Sequence, residues 1–420
     1  MREMKDSGIS WVGEIPKEWS VKKIKHISHV IGGNGFNVEL QGLESGDYPF
    51  CKASDISNAG KYLDKAANYV TFDIVRDQHY NIIPKGAILF PKIGEAMKKN
   101  NRTICVLDCC ADNNCQAIVP FERNGGMFLY YILTCVNMGW FDNAGTIPCM
   151  NNRKFLNSKV PFPSLDEQQR IAEFLDRECG KIDGLKADIQ AQIDTLEQYK
   201  RSVITEAVTH GLNPSAPMKD SGIPWVGKTP EYWKVGRIGG LYELRNQKVS
   251  DKDFMPLSVT MKGILPQLET AAKTNDGDNR KLVRVGDFAI NSRSDRRGSC
   301  GISDYDGSVS LINTILKPRN RMNAKYYNWL FHTPMFADEF YKWGHGIVDD
   351  LWTTNWSEMK RISIPLPPLD EQQEIADYLD NKCAEIEQII ADKKSQIETL
   401  DGYKKSLIFE YVTGKKEIAL

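Results

Sequence analysis

The sequence predicts a mixed α/β (α+β) fold in which two globular parts are each followed by a long helix. Two internal repeats predict this arrangement. Residues 4–19 and 218–233 are identical at 11 of 16 positions, and residues 165–209 and 369–413 are identical at 24 of 45 positions. The inserts between these copies, residues 20–160 and 234–364, share no comparable identity. The repeated segments, here called frames, need the same partners or the same geometry. The inserts differ in sequence and are therefore expected to recognise different targets.

Length and composition bound the class of protein. A chain of 420 residues can form two to four domains with proper cores. We place their boundaries at 1–160, 161–217, 218–364 and 365–420. No run of about 18 apolar residues occurs and the first residues lack the apolar core of a signal peptide, so we expect a cytoplasmic protein without a membrane span. The ten cysteines are then expected to be reduced thiols.

The net charge of −1 hides a division between inserts and frames. Residues 20–160 carry 16 Lys/Arg against 12 Asp/Glu, and residues 234–364 carry 20 against 15. The helical segments reverse this balance, with 6 against 10 in residues 161–217 and 7 against 12 in residues 365–420. A polyanion is therefore expected to be attracted to the inserts and not to the frames.

Apolar residues recur every seven positions in both helical segments, which is the pattern of a coiled coil. The first seam comprises Leu175, Ile182, Ile189, Leu196 and Val203, and the second comprises Leu379, Ile386, Leu400 and Leu407. An adjoining apolar stripe is formed by Ile171, Leu185, Ile193 and Tyr199, and in the second copy by Ile375, Ile389 and Tyr403. Because such seams must be buried, each helix is expected to pack against the other copy.

Local signals agree with these helices. Prolines precede LDEQQ in both copies, acidic residues fill each first turn, and Gly211 and Gly414 suit the C-terminal caps. The inserts have mixed character. In the first insert we expect strands at AILFPKI and RTICVLD and a helix at MFLYYILTCVN. In the second insert we expect strands at DFAINSR, CGISDY and SVSLINTILKP and a helical segment at KYYNWLFHTPMFADEFY.

The repeated motifs resemble those of the specificity subunit of type I restriction-modification systems. The resemblance rests on PLPPLDEQQEIADYLD with YKKSLIFEYVTG, on SGIPWVGKTPEYW, and on GDFAINSRSDRRGSCGISDYDGSVSLINTILKP, and it extends over the whole chain. It implies two target-recognition domains, within residues 1–160 and 218–364, separated by two long antiparallel coiled-coil helices in a pseudo-twofold repeat.

The resemblance also implies a function. Each recognition domain reads one half of a bipartite sequence in double-stranded DNA, and the helices set the spacer and dock two modification (methyltransferase) subunits. S-adenosylmethionine is expected in those partners and no cofactor in this chain. Restriction (motor and nuclease) subunits can join the complex. The chain itself is expected not to be an enzyme, in a bacterial or archaeal cytoplasm.

Candidate DNA-contacting residues follow from the chemistry of base and phosphate recognition, in which Arg suits guanine, Asn or Gln suits adenine, and Lys suits phosphate. In the second insert they are Asn291, Arg293, Ser294, Arg296 and Arg297, with Arg245, Asn246 and Gln247 as weaker candidates. In the first insert they are Lys92, Lys98, Lys99, Asn101 and Arg102, with Asn34, Asn37 and Lys52 as weaker candidates. The alternative for each group is a solvated polar turn.

Other features have less specific interpretations. Asp349 and Asp350 either accept from cytosine or cap a helix. Cys105, Cys109, Cys110 and Cys115 lack the paired CxxC spacing of a zinc site, so we expect thiols and no metal. Neither a Walker A sequence nor an Asn-Pro-Pro-aromatic methyltransferase motif occurs. Two alternatives to a DNA-reading subunit stay open: a protein-interaction scaffold that does not read DNA, and a nuclease fused to coiled coils.

Overall fold

The computed structural model describes residues 2–122, 125–143, 145–267, 277–319, 322–346 and 352–418. The chain divides into two compact units. The first unit comprises residues 1–188 and 395–420, and the second comprises residues 189–394. Each unit therefore contains one insert, its repeat segment and parts of both long helices. Asp349 and Asp350 lie outside the described residues.

The first unit is built from short strands and short helices. Its strands are β1 (Met4–Asp6), β2 (Glu14–Pro16), β3 (Ser20–Lys23), β4 (Ser28–Gly32), β5 (Tyr48–Cys51), β6 (Tyr62–Leu63), β7 (Tyr69–Val70), β8 (Ile88–Pro91), β9 (Thr103–Cys105), β10 (Cys110–Ala111), β11 (Cys115–Pro120) and β12 (Lys159–Phe162). Its short helices are α1 (Ala53–Asn58), α2 (Phe72–Asp77), α3 (Glu95–Lys98), α4 (Gly126–Thr134) and α5 (Asn152–Leu156).

A five-stranded sheet of order β4-β11-β8-β9-β6 lies at the centre of this unit. Strand β8 is buried along its whole length and pairs antiparallel with β11, placing Ile88 opposite Ile118. A three-stranded sheet has the order β10-β5-β7, and two further antiparallel pairs join β1 to β2 and β3 to β12. The β3–β12 pair fixes the start of the insert next to its end, as the position of the insert within a repeated frame requires.

The second unit repeats this plan. Its strands are β13 (Met218–Ile223), β14 (Gly227–Pro230), β15 (Lys234–Arg237), β16 (Tyr242–Leu244), β17 (Lys248–Val249), β18 (Leu257–Thr260), β19 (Gly263–Pro266), β20 (Arg280–Val283), β21 (Phe288–Asn291), β22 (Cys300–Ile302), β23 (Gly307–Val309), β24 (Asn313–Pro318) and β25 (Ser363–Leu366). Its short helices are α7 (Ile238–Leu241), α8 (Ala324–Phe331), α9 (Pro334–Lys342) and α10 (Trp356–Met359).

The corresponding central sheet has the order β16-β24-β21-β22, with β21 buried throughout and paired to both neighbours. A three-stranded sheet of order β17-β20-β23 accompanies it, and β15 pairs with β25 as β3 pairs with β12. The segment KYYNWLFHTPMFADEFY forms two helices instead of one. Thr333 caps the second by accepting from the Phe336 N–H, and Pro334 occupies the first helical turn, so the chain breaks between α8 and α9.

The repeated C-terminal segments form the two long helices that the sequence predicts, α6 (Leu165–His210) and α11 (Leu369–Val412). Positive φ angles of 76° at Gly211 and 71° at Gly414 end them. The residues of the predicted seam are buried to different extents. Its buried members are Leu175, Ile182, Leu379, Ile386 and Leu407, and its half-buried members are Ile189, Leu196, Val203 and Leu400.

The adjoining stripe is only partly buried. Ile171, Ile193 and Ile375 are buried, but Leu185, Tyr199, Ile389 and Tyr403 are 53%, 49%, 45% and 57% exposed. A pair of helices has one seam, so a second stripe is covered only where a globular part packs on it.

Polar pairs across the two helices show their antiparallel direction within each unit. In the first unit, Lys186 bonds to Asp401 and Lys404 bonds to Asp183 at 2.7 Å. In the second unit, Lys200 pairs with Glu387, and Lys393, which interrupts the heptad series, donates to Gln192. The pairs Asp183–Lys404 and Glu387–Lys200 are repeat equivalents. Within the described residues, no helix has both the length and the apolar character needed to cross a membrane.

Candidate nucleic-acid interface

The two inserts present their cationic segments through the same construction. In each, a buried strand of the central sheet leads into a polar loop, and that loop forms an isolated antiparallel bridge with the segment preceding the long helix. The bridge joins Ile93 to Cys149 in the first unit and Arg293 to Thr353 in the second. The strand and the bridge both hold the start of each loop, so its first residues are fixed to the scaffold.

In the second unit, residues 292–299, here called the arginine loop, connect β21 to β22. The Asn291 N–H donates to the Ser299 carbonyl at 2.8 Å, which closes the base of the loop, and Gly298 takes a φ of +74°. The Ser294 N–H donates to the carbonyl of Trp352 at 2.9 Å. A 3-10 turn over Ser294–Arg296 fills the middle, so the loop has a defined backbone conformation.

The three arginines of this loop differ in how far they are engaged. Arg297 pairs with Asp338 at 3.1 Å, with its side chain 57% exposed. Arg293, at 33% exposure, lies 3.6 Å from Asp295. Arg296 is 68% exposed, and its ion-pair contact within the described residues is a 3.7 Å approach to the same Asp295. Arg296 is therefore the guanidinium most available to a ligand, whereas Asn291, at 6% exposure, is interior.

In the first unit, residues 91–102, here called the lysine segment, follow β8. The Gly94 N–H, at a residue with φ +73°, donates to the Pro148 carbonyl at 2.7 Å. Lys98 and Lys99 are exposed, Lys98 with Glu95 3.1 Å away. The half-buried Asn101 donates its side-chain amide to Ser57 Oγ at 3.1 Å. This segment offers mobile ammonium charges where the arginine loop offers planar guanidinium groups.

The side chain of Arg102 is buried and hydrogen-bonded within the protein. It is 5% exposed, and its Nη2 donates to the carbonyls of Asn100 at 3.1 Å and Val136 at 3.3 Å. Burial lowers the pKa of Arg102 to about 10, which leaves it protonated at neutral pH. Asn100 adopts a φ of +62° and accepts the Met138 N–H at 2.9 Å. Arg102 therefore shapes the end of the lysine segment, contrary to the expectation that it contacts DNA.

Lys92 lies close to the loop that follows β4. A Cβ atom placed on Gly32 would be 3.7 Å from Nζ of Lys92. In the same loop, Asn34 is held by the Asn81 N–H, which donates to its Oδ1 at 2.7 Å, and Asn37 is exposed. Lys52 donates to Gln41 Oε1 at 2.7 Å, so its charge is only partly free. The structure thus brings Lys92 together with the loop containing Asn34.

The counterpart of that loop in the second unit contains Arg245, which is engaged in an ion pair with Asp287. The guanidinium of Arg245 donates two hydrogen bonds to Asp287, at 2.6 Å and 3.0 Å. Asp287 is 2% exposed and also accepts the Arg284 N–H, so Arg245 completes a buried polar group. This engagement leaves Asn246 and Gln247, both exposed, as the available side chains of the stretch.

Two residues of α9 contact the arginine loop, and no local sequence motif indicates these contacts. Tyr341 places its hydroxyl 3.1 Å from the Asn291 carbonyl and 3.2 Å from the Arg296 carbonyl, and Asp338 pairs with Arg297. Tyr341 and Arg296 are 45 positions apart in the chain. Their contact depends on the packing of α9 under the loop, and spacing along the sequence does not reveal it.

Five of the seven cysteines of the first insert are buried, namely Cys51, Cys105, Cys109, Cys110 and Cys115. Sγ of Cys109 lies 3.6 Å from Sγ of Cys105. Side-chain hydrogen bonding with Cys105 and Cys51 lowers the pKa of Cys109. In the part of the chain that the structure describes, no group of three or more His, Cys, Asp or Glu side chains is arranged to hold a metal ion.

Comparison with known proteins places this architecture in one family. The family model for the type I restriction modification DNA specificity domain matches residues 16–195 and again residues 230–399. The putative type I restriction enzyme MjaX specificity subunit of Methanocaldococcus jannaschii is 24% identical over 96% of this chain and 95% of that protein. The StySPI specificity subunit of Salmonella potsdam is 21% identical over 96% of this chain and 90% of that protein.

Other matches are partial or concern the fold. The MjaIX specificity subunit of Methanocaldococcus jannaschii is 26% identical, and the match spans about half of each protein, 56% of this chain and 54% of that one. A chain from the solved structure described as "Structural basis underlying complex assembly and conformational transition of the type I R-M system" superposes with a TM-score of 0.65 at 15% identity. It covers 96% of this chain and 99% of that chain. With the specificity-domain model matched twice, this chain belongs to the family of type I restriction-modification specificity subunits.

Proposed function

We propose that this chain is the sequence-specific DNA-binding subunit of a type I restriction-modification complex, and that each unit reads one half of a bipartite target. The observation that carries the proposal is the shared construction of the two interfaces. In both units a buried central strand leads into a cationic loop that is bridged to the segment before a long helix. Because the two loops share a scaffold but differ in their side chains, they are suited to recognising two different DNA sequences.

Charge supports the same function. The basic inserts and acidic frames direct the phosphate backbone of DNA to the inserts. Within them, Lys98 and Lys99 suit phosphate contacts because an ammonium group acts as a point charge. Arg293 and Arg296 suit base edges because a guanidinium presents paired donors. We assign phosphate contacts to Lys98 and Lys99 in the first unit, and base contacts in the half-site of the second unit to Arg293 and Arg296.

The exposed apolar residues of the long helices support the docking of two identical partners. Leu185 lies between Asp183 and Lys186, and Tyr403 lies between Asp401 and Lys404. The ion pairs of these neighbours bring both side chains to one stretch of the first unit. Their repeat equivalents in the second unit, Ile389 and Tyr199, lie beside the pair Glu387–Lys200. Each unit thus has one patch of an aliphatic residue and a tyrosine.

We propose that each patch docks one modification (methyltransferase) subunit. S-adenosylmethionine would be bound in that partner, which would supply the methyl transfer, and restriction subunits would join the same complex. This chain would contribute recognition and geometry, and not catalysis. Acidic surroundings on the helices would select partner surfaces that are apolar at the centre and basic at the rim.

The test uses the chain assembled with its modification subunit and DNA in which each half of the methylated site is scrambled separately. Arg293→Ala with Arg296→Ala should lower discrimination at one half-site by roughly tenfold or more and leave the other half unchanged. Lys98→Ala with Lys99→Ala should weaken binding to all sequences and reduce the slope of log affinity against log salt by about one per lost phosphate contact.

Matched controls are Arg237→Ala, an exposed arginine of β15 outside the loop, and Lys181→Ala on an acidic frame helix. Neither should alter discrimination or the salt slope. Loss of discrimination at both half-sites in the arginine variant would contradict separate reading. Absence of salt-dependent DNA binding by the assembled wild-type complex would favour a protein scaffold, and magnesium-dependent cleavage by the chain alone would favour a nuclease.

A further inference from the structure

The arginine loop is held from below by one buried side chain of α9. Tyr341 is 4% exposed, and its hydroxyl lies between two backbone carbonyls of the loop region, Asn291 at 3.1 Å and Arg296 at 3.2 Å. A hydroxyl has one proton, so Tyr341 donates to either carbonyl or shares the proton between them. Asn291 ends β21 and Arg296 ends the 3-10 turn, so the hydroxyl ties the start of the loop to its middle.

The same residue also acts on the third arginine. The guanidinium of Arg297 lies over the Tyr341 ring, with 5.4 Å between the guanidinium carbon and the ring centroid. Its Nη1 is 3.1 Å from Oδ1 of Asp338, one helical turn before Tyr341 on α9. Arg297 is thus occupied by a carboxylate and an aromatic face. This engagement draws Arg297 towards α9 and leaves Arg296 as the arginine directed to solvent.

Arg296 has the chemistry of a guanine reader. Its side chain is 68% exposed, and Asp295, the nearest carboxylate, is shared with Arg293 and lies 3.7 Å from Arg296 Nε. The planar fork of donors matches the two acceptors, O6 and N7, that guanine alone presents in the major groove. Bidentate contact tolerates little misplacement, so the backbone that carries Arg296 must be fixed before binding.

We propose that Arg296 reads a guanine in the half-site bound by the second unit, and that Tyr341 is the positioning residue that fixes Arg296 for this contact. The inference rests on the proposed function and deepens it by naming the base and the residue that organises its reader. Tyr341 acts through the Arg296 carbonyl and does not touch DNA. Its removal therefore changes discrimination at the base pair that Arg296 reads, and not binding to DNA in general.

The experiment begins with the half-sites methylated by the wild-type complex. Binding is then measured for duplexes in which each base pair of the second-unit half-site is changed in turn. Arg296→Ala should reduce discrimination at one G·C pair by roughly tenfold to a hundredfold. Tyr341→Phe keeps the ring under Arg297 and removes only the hydroxyl, and it should reduce discrimination at that same pair by roughly fivefold. Affinity for unrelated DNA and the salt slope should not change.

Tyr327→Phe is the matched control. Its hydroxyl is buried and has no hydrogen-bond partner within the described residues, so this variant also removes a buried hydroxyl of the same unit. It should leave every base preference unchanged. If Tyr341→Phe changes only the thermal midpoint and alters no base preference, Tyr341 is only structural and the inference is overturned.

The outcomes separate this inference from the proposed function. A half-site that contains no guanine, or an Arg296→Ala variant that weakens all sequences equally, overturns the assignment of Arg296 while two-site reading stands. A Tyr341→Phe effect spread evenly over every base pair overturns the positioning role. A wild-type complex that binds DNA without any sequence preference overturns the proposed function itself.

Discussion

The indole N–H of Trp19 donates to Oε2 of Glu167 at 2.9 Å, and it joins the N-terminal repeat segment to the first turn of α6. The second unit repeats this contact, with Trp233 donating to Oε2 of Glu371 at 2.8 Å. Both indoles are 1% exposed. One hydrogen bond of this kind therefore fixes each repeat segment to its own helix, and it explains why the tryptophan and the glutamate recur together.

Glu371→Ala should destabilise the second unit. The substitution removes acceptors for the Trp233 indole and the Tyr232 hydroxyl, which donates at 3.0 Å, and leaves a buried indole N–H without a partner. Hydrogen bonds to charged groups contribute about 1.5–3 kcal/mol, so the thermal midpoint should fall by several degrees. Glu374→Ala, one turn later and exposed, is the control and should change it little. Equal midpoints for the two variants would show that the indole contact does not stabilise the unit.

Gly414→Ala should be more harmful than an ordinary glycine replacement. Gly414 ends α11 with φ +71°, and a Cβ there would be 2.3 Å from the ring of Pro16 and 3.1 Å from the Trp19 indole. We expect a loss of about 1–3 kcal/mol in the free energy of unfolding. Gly402→Ala lies within the same helix with nothing in reach of its Cβ, and should gain about 1 kcal/mol. Chemical denaturation checks both, and a stabilising Gly414→Ala would refute the cap assignment.

Tyr403→Lys and Tyr199→Lys should each remove one modification subunit from the complex. Each places a charge at the centre of one apolar patch, where the exposed tyrosine makes little contribution to the fold of this chain. Native mass spectrometry should show one bound partner for each single variant and none for the double variant. Exposed Tyr62, within the first insert, provides the control Tyr62→Lys, which should retain two partners. Retention of two partners by the double variant would place docking elsewhere.

Lengthening both helices should lengthen the spacer between the half-sites. One heptad is inserted between Gln190 and Ala191 and a second between Gln396 and Ile397. The pair Lys186–Asp401 then stays in the first unit, and the pair Gln192–Lys393 stays in the second. Seven helical residues add about 10 Å, equivalent to about three base pairs of duplex. Methylation mapping should detect the longer spacer. An unchanged spacer in an active complex would mean that the helices do not set it.

The sequence predicts local features well because their causes are local. Prolines before the helices, glycines after them and a seven-residue apolar period place α6 and α11, and buried strands identify β8 and β21. Periodicity also indicates the apolar stripe containing Leu185 and Tyr403, but it does not show how much of that stripe a partner covers, and both residues are exposed in the structure. Arg102 and Asn291 have the residue types of DNA contacts but face the interior, since only tertiary packing decides which side of a loop is buried.

The central claim is that two units read two halves of one DNA target. Single-molecule sequencing can map methylation in DNA from cells that express this chain with its cognate modification subunit. We expect a split motif of two short half-sites with a fixed spacer, one half of which changes when the arginine loop is altered. Methylation of a single contiguous motif, or none from a complex shown to be assembled and active, would contradict it.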